Sequence, residues 1–142
     1  MKILSIDTSS KNCSISIVEA NNSTFNIISV KNNADEKTHS QKLMPLIDEM
    51  FKEVNLSLDN IDLLACCVGP GSFTGIRIGV ATVKAFADVK GIPVVGVTSL
   101  EGSITNGVDA LTVKTTKAAV SNFIPIVGKI LRRCCRNSNE LQ

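Results

Sequence analysis

At 142 residues the chain is sized for one domain, or for one domain with an appendage. Its 44% hydrophobic content allows a sizeable core, while an aromatic content of 4%, with no Trp and no Tyr, excludes the exposed stacking platform that single-stranded nucleic acid requires. The formal net charge of +2 is too small to indicate nucleic-acid binding, and no apolar run approaches the ~20 residues of a membrane-spanning helix.

The first element is a buried strand over residues 2–6 (KILSI), ending at Asp7. Thr8 to Asn12 is turn chemistry, small hydroxyls and an amide that bond their own backbone. Residues 13–18 (CSISIV) alternate with period two, as a strand with one buried face does. Asn21-Asn22-Ser23 predicts a second turn and Phe25 to Val30 a third strand, so the opening third reads as an antiparallel meander. After a polar loop over 31–37 the period changes. Leu43, Leu46, Ile47, Met50, Phe51 and Val54 recur at steps of three and four, which predicts an amphipathic helix over 38–54. Thr38 or Ser40 is the expected N-cap, and Pro45 is expected close to the first turn.

Asn55 to Asn60 breaks that helix. Ile61 to Val68 (IDLLACCV) is a nearly continuous apolar run, the pattern of a central strand covered on both faces. Gly69-Pro-Gly-Ser-Phe-Thr-Gly75 then leads into a helix from Ile76 to about Lys90, stopped by Gly91. Residues 93–97 (PVVGV) form a further buried strand. The order β-β-β-α-β-α-β predicts an α/β fold: a mixed five-stranded sheet with two crossover helices, half of the two-lobed actin/Hsp70-like (RNase H-like) architecture. Residues 1–102 are the expected lobe, and 103–142 the expected appendage.

Three groups of residues are candidates for chemistry. Asp7-Thr8-Ser9, at the exit of the first strand, has the carboxylate and hydroxyls of a vestigial phosphate loop, although a polar turn that closes a hairpin is the plainer reading. Gly69, Gly71, Ser72, Thr74 and Gly75 form a structural loop at a helix N-terminus. It has neither the Gly-Lys-Ser/Thr of a Walker A loop nor a Rossmann GxGxxG. Ser72 and Thr74 are available as caps, and Gly75 and Gly79 let the following helix lie close to a neighbouring backbone. His39 is the sole histidine, and the five cysteines (Cys13, Cys66, Cys67, Cys134, Cys135) include no CxxC, so neither a zinc site nor a Ser-His-Asp triad is expected. The odd cysteine count and the lack of a signal peptide predict a reducing cytoplasm.

The segments ILSIDTSS (3–10), THSQKLMPLID (38–48), VGPGSFTGIRIGVATVKAFA (68–87) and IPVVGVTSLEG (92–102) stand in an order and spacing that resemble the TsaB (YeaZ) family of Gcp/Kae-type, M22 glycoprotease-like proteins. The resemblance covers about residues 1–102. It implies a non-catalytic subunit in making N6-threonylcarbamoyladenosine on tRNAs that read ANN codons. The implied partner is a TsaD-like paralogue that carries out the transfer, with a TsaE-like ATPase as a further partner, homodimerisation when alone, and tRNA reached only indirectly. The catalytic relatives carry a metal-binding HxxxH motif. Here the matching segment is His39-Ser-Gln-Lys-Leu43, which lacks the second histidine. Partner contact is implied through the two helices, with Leu43, Ile47, Met50, Ile76, Val80, Val83 and Lys84 as the expected contact residues. ATP and Mg²⁺ are not expected for this chain alone, since one lobe offers half of the nucleotide contacts.

Past Gly102 the resemblance stops. Residues 103–142 concentrate Lys114, Lys117, Lys129, Arg132, Arg133 and Arg136, opposed by Glu101, Asp109 and Glu140 nearby, and read as a solvated, partly disordered basic tail or a frameshifted end in place of a second lobe. Three other readings follow from these features: a peptidase or nucleotide hydrolase of the M22 type, a direct tRNA binder through the basic tail, and a non-functional truncated product.

Overall fold

The computed structural model of the protein describes residues 1–21, 25–33 and 39–99. The Thr38 cap, most of the turn at 21–23, the side chain of His39 and the appendage at 103–142 lie outside the described residues.

Three strands, β1 (Lys2–Asp7), β2 (Cys13–Ala20) and β3 (Phe25–Asn33), make the expected meander. Helix α1 (His39–Glu53) follows, then a short 3₁₀ turn at Leu58–Asn60, strand β4 (Leu63–Gly69), helix α2 (Phe73–Lys90) and strand β5 (Val94–Thr98). The five strands form one sheet in the order β3-β2-β1-β4-β5. β1 pairs antiparallel with β2 and parallel with β4, and β5 runs parallel to β4, so the sheet is mixed as the element order predicts.

Both helices lie on one face of the sheet. Leu43, Ile47 and Met50 of α1 and Val83 of α2 join Leu4, Ile6, Ile15, Ile17, Leu64 and Cys66 in a single buried cluster. A fully buried aliphatic side chain of this kind is worth about 1.5–3 kcal/mol relative to leaving it in water. The opposite face buries Ile3, Ala20, Leu63, Ala65, Cys67 and Val97 as a second cluster. The alternation of Leu64 and Cys66 to one side and Leu63, Ala65 and Cys67 to the other is the strand period of two. Its result is a central strand buried on both faces, with Val68 at its end exposed.

Several boundaries differ from the sequence expectation. β3 continues to Asn33, because its last residues still pair with Cys13 and Ser14 of β2. β4 begins at Leu63 because the two residues before it are held otherwise: the Ile61 N–H caps the 3₁₀ turn by donating to the Leu58 carbonyl, and Asp62 accepts the Lys2 N–H at 2.7 Å. Ser40 sits inside α1 rather than capping it, and Pro45 lies beyond the first turn. The backbone acceptor that Pro45 leaves unpaired belongs to Gln41, and both residues are exposed, so water can satisfy it. Lys31 on β3 ties α1 to the sheet edge through Glu49 (2.9 Å) and Glu53 (2.8 Å), and these two bonds raise its pKa. α2 ends where Gly91 takes a left-handed φ of 67° and donates its N–H to the Ala87 carbonyl.

Candidate functional site

The turn after β1 and the loop before α2, 60 residues apart in sequence, are the two halves of one contact. The Ser72 N–H donates to the Ser9 carbonyl at 2.7 Å, and the buried Thr8 hydroxyl donates to the Gly75 carbonyl at 2.7 Å. Three glycines make this approach possible. A Cβ on Gly71 would overlap the Ser9 carbonyl oxygen, one on Gly75 the Thr8 carbonyl oxygen, and one on Gly79 the Thr8 Oγ1. Gly71, Gly75 and Gly79 recur every four residues, so they line one side of the helix and its entry. Ser72 is the N-cap, with Oγ accepting from the Gly75 N–H at 3.3 Å, while Thr74 is an exposed residue of the first turn and does not cap. Gly69, which ends β4, has a φ of 106° that a side chain would strain.

This arrangement corrects the phosphate-loop reading of Asp7, Thr8 and Ser9. Asp7 Oδ1 accepts from the Ser9 N–H at 2.9 Å and the Ser9 hydroxyl at 2.7 Å, which is a self-closing turn. The Thr8 hydroxyl is spent on Gly75 and is 1% exposed. The Thr8 and Ser9 hydroxyls are therefore committed inside the fold. Cys67 stands beside the same turn. Burial raises its thiol pKa first and the Asp7 charge second, so it is a protonated, packed thiol at neutral pH and no nucleophile. Cys66 is raised in the same way, by burial and then by Cys67. Among the described residues no group of three or more His, Cys, Asp or Glu side chains stands close enough to hold a metal ion.

The contact residues expected on the two helices divide. Leu43, Ile47, Met50 and Val83 are buried in the chain's own core, so they are corrected from contact residues to sheet-covering ones. The apolar stripe legible in the sequence was the inward face, because the sheet supplies the largest apolar surface within reach. Ile76 and Val80 are half-buried, and Lys84 is exposed. Beside the expected Lys84, the outward face carries residues that sequence reasoning missed: Arg77, Ala81, Ala85 and Asp88 on α2, and Gln41, Met44, Pro45 and Asp48 on α1. Met44 is 49% exposed although apolar. The signal available for it was its offset of one residue from the stripe, which turns it away from the sheet by about 100°. The two helices touch, so these residues belong to adjoining surfaces. At the start of α2 the Arg77 guanidinium lies 5.4 Å from the centre of the exposed Phe73 ring.

Residues 27–119, more than half of the chain, match the family model described as TsaD, tRNA N6-adenosine threonylcarbamoyltransferase. The chain belongs to this TsaD/TsaB (YeaZ) family. A Haemophilus influenzae relative named tRNA threonylcarbamoyladenosine biosynthesis protein TsaB is 32% identical over 100 residues, which span 70% of this chain and 40% of the relative. A Bdellovibrio bacteriovorus relative named tRNA N6-adenosine threonylcarbamoyltransferase is 27% identical over 115 residues, covering 72% of this chain and 33% of the relative. Among solved structures, YeaZ from Pseudomonas aeruginosa superposes with a TM-score of 0.63 at 28% identity, over 71% of this chain and 46% of that one. The actin/Hsp70-like lobe expected from the element order is therefore the fold of a TsaB/YeaZ-type protein. The chain spans about two fifths or less of the length of these curated relatives.

Proposed function

We propose that this chain is the non-catalytic, TsaD-binding subunit of the machinery that places N6-threonylcarbamoyladenosine on tRNA. The observation that carries this reading is Leu43. By the resemblance, it stands where the family's catalytic members are expected to hold the second histidine of a metal-binding HxxxH segment. In this chain the position is filled by a leucine, 1% exposed, in the main core cluster. Replacing it by a histidine would place an imidazole in that apolar cluster, a cost that only a bound metal or a buried partner would offset. The binding role falls to the outward face of α1 and α2, where Met44, Ala81 and Ala85 offer small or apolar side chains beside Lys84 and Arg77. A small-residue surface of this kind lets a partner helix approach closely. The role requires neither ATP nor Mg²⁺ from this chain, and it reaches tRNA and any TsaE-like ATPase only through the TsaD-type partner. In the absence of that partner the same face pairs two copies of the chain.

Calorimetric titration of the purified chain with the TsaD-type paralogue from the same cell tests the reading. The expected result is a one-to-one complex weakened at least tenfold by Ala81→Glu, with circular dichroism unchanged. A folded chain that does not bind, or binding indifferent to both Ala81→Glu and Met44→Lys, would overturn it. A second reading, transfer activity in the chain itself, is favoured by the family model's name and the Bdellovibrio relative. It predicts threonylcarbamoyl transfer by this chain without the paralogue.

A further inference from the structure

The clasp between the 7–10 turn and α2 has a property that neither a polar turn nor an anion loop would require: it is matched residue against residue. In an α-helix the Gly75 carbonyl already accepts from the N–H one turn on, and its second lone pair takes the Thr8 hydroxyl. That lone pair is reachable because Gly79, one turn further along, has no side chain to screen it. Thr8 Oγ1 occupies the space where a Gly79 Cβ would stand, with the Thr8 Cβ and Cγ2 in ordinary contact beside it. The Thr8 side chain is thus at once the hydrogen-bond donor to α2 and the spacer on which the helix rests. On the far side of the same helix, about half a turn round, lie the exposed Arg77, Ala81, Lys84 and Asp88.

We propose that Thr8 is a positioning residue for the partner-facing helix: its side chain, seated against Gly75 and Gly79, sets the height of α2 above the sheet and therefore where the outward face of that helix stands. The partner-binding half of this inference rests on the function proposed above, whereas the seating half concerns this chain alone. The motifs DTSS and GPGSFTG then share one role, and it is mechanical.

A double-mutant cycle separates seating from plain stability. Spin labels at Asp48→Cys and Lys84→Cys, both exposed sites, report the distance between the outward faces in the full chain with Cys134 and Cys135 replaced by serine. Gly79→Ala is expected to move that distance by about 1 Å, the gap between the overlap it creates and an ordinary contact. Thr8→Ala/Gly79→Ala is expected to restore it, because the space vacated by Thr8 receives the new methyl group. Affinity for the TsaD-type paralogue should fall about tenfold in Gly79→Ala, a loss of ~1.4 kcal/mol, and recover in the double variant. Were Gly79→Ala unable to fold, Thr8→Val, which keeps the shape and loses only the hydroxyl, should broaden the distance distribution, and Thr8→Ser should leave it narrow. An unmoved distance in Gly79→Ala, no restoration in the double variant, or a moved helix that binds the paralogue as before each overturns the inference. If the parent chain binds no paralogue, the proposed function fails, and the distances alone still decide whether Thr8 seats the helix.

Discussion

Helices α1 and α2 pack on the same face of the same sheet, yet they reach it by opposite means. α1 inserts large side chains, Leu43, Ile47 and Met50, between itself and the strands. α2 removes side chains instead: of its residues only Gly75, Gly79 and Val83 are buried, and two of the three have no Cβ to bury. The first solution gains apolar transfer energy and keeps the helix at a distance set by side-chain volume. The second brings backbone to within hydrogen-bonding reach of the 7–10 turn and replaces volume by direct contact. A helix held by leucines tolerates exchange among similar shapes, whereas one held by glycines tolerates none, because there is no smaller residue to fall back on.

That contrast can be broken experimentally. The largest effect is expected from Gly75→Ala, whose added carbon would lie on the Thr8 carbonyl oxygen. Since neither backbone can yield alone, a loss above about 4 kcal/mol in urea denaturation is expected, in the range reserved for such mechanisms. A loss below 1 kcal/mol would mean that α2 is loosely seated. Met50→Ala, at the centre of the α1 seam and fully buried, should cost about 2–5 kcal/mol by the same measurement. Two equal values would erase the distinction between the helices. Ser72→Ala removes one capping bond at the start of α2 and should cost about 1 kcal/mol, with Ser72→Asp restoring most of it.

A pH dependence is expected as well. Burial, and then the Asp7 charge, push the Cys13 thiol from 9.0 up to about 11. A folded pKa above the unfolded one means that the native state holds its proton longer. The contribution is therefore complete below pH 9 and is lost as pH rises toward 11. The urea midpoint should fall over that window in the parent and fall less in Cys13→Ala. The same burial predicts that Cys13, Cys66 and Cys67 resist iodoacetamide at pH 8 until the protein is unfolded.

Much of the fold was legible because period is a local property. The alternation in CSISIV and the three-and-four spacing of Leu43, Ile47 and Met50 each report on a few neighbouring residues, and the corresponding strand and helix formed within a few residues of the expected limits. Ends were less legible, since they depend on tertiary partners: β4 starts late because Ile61 and Asp62 are held by Leu58 and Lys2, one of them 60 residues away. That Gly75 lies close to a backbone was also readable from its missing side chain, but which backbone was not, and Gly79 meets the Thr8 side chain instead. The apolar stripe of α1 was visible as well, but its period could not say whether sheet or partner would cover it, and Leu43, Ile47 and Met50 went to the sheet.

The sequence by itself determined the element order, the mixed sheet and the family, because these rest on local patterns and on motif residues quoted in order along the chain. Only the tertiary structure decided what the motifs do. Thr8 carries a hydroxyl that any anion loop would use, and its meaning changed when Gly75 and Gly79 arrived from about 70 residues away to take it up. A hydrogen bond depends on which acceptor stands within 3 Å, and that distance is set by the folding of the whole chain.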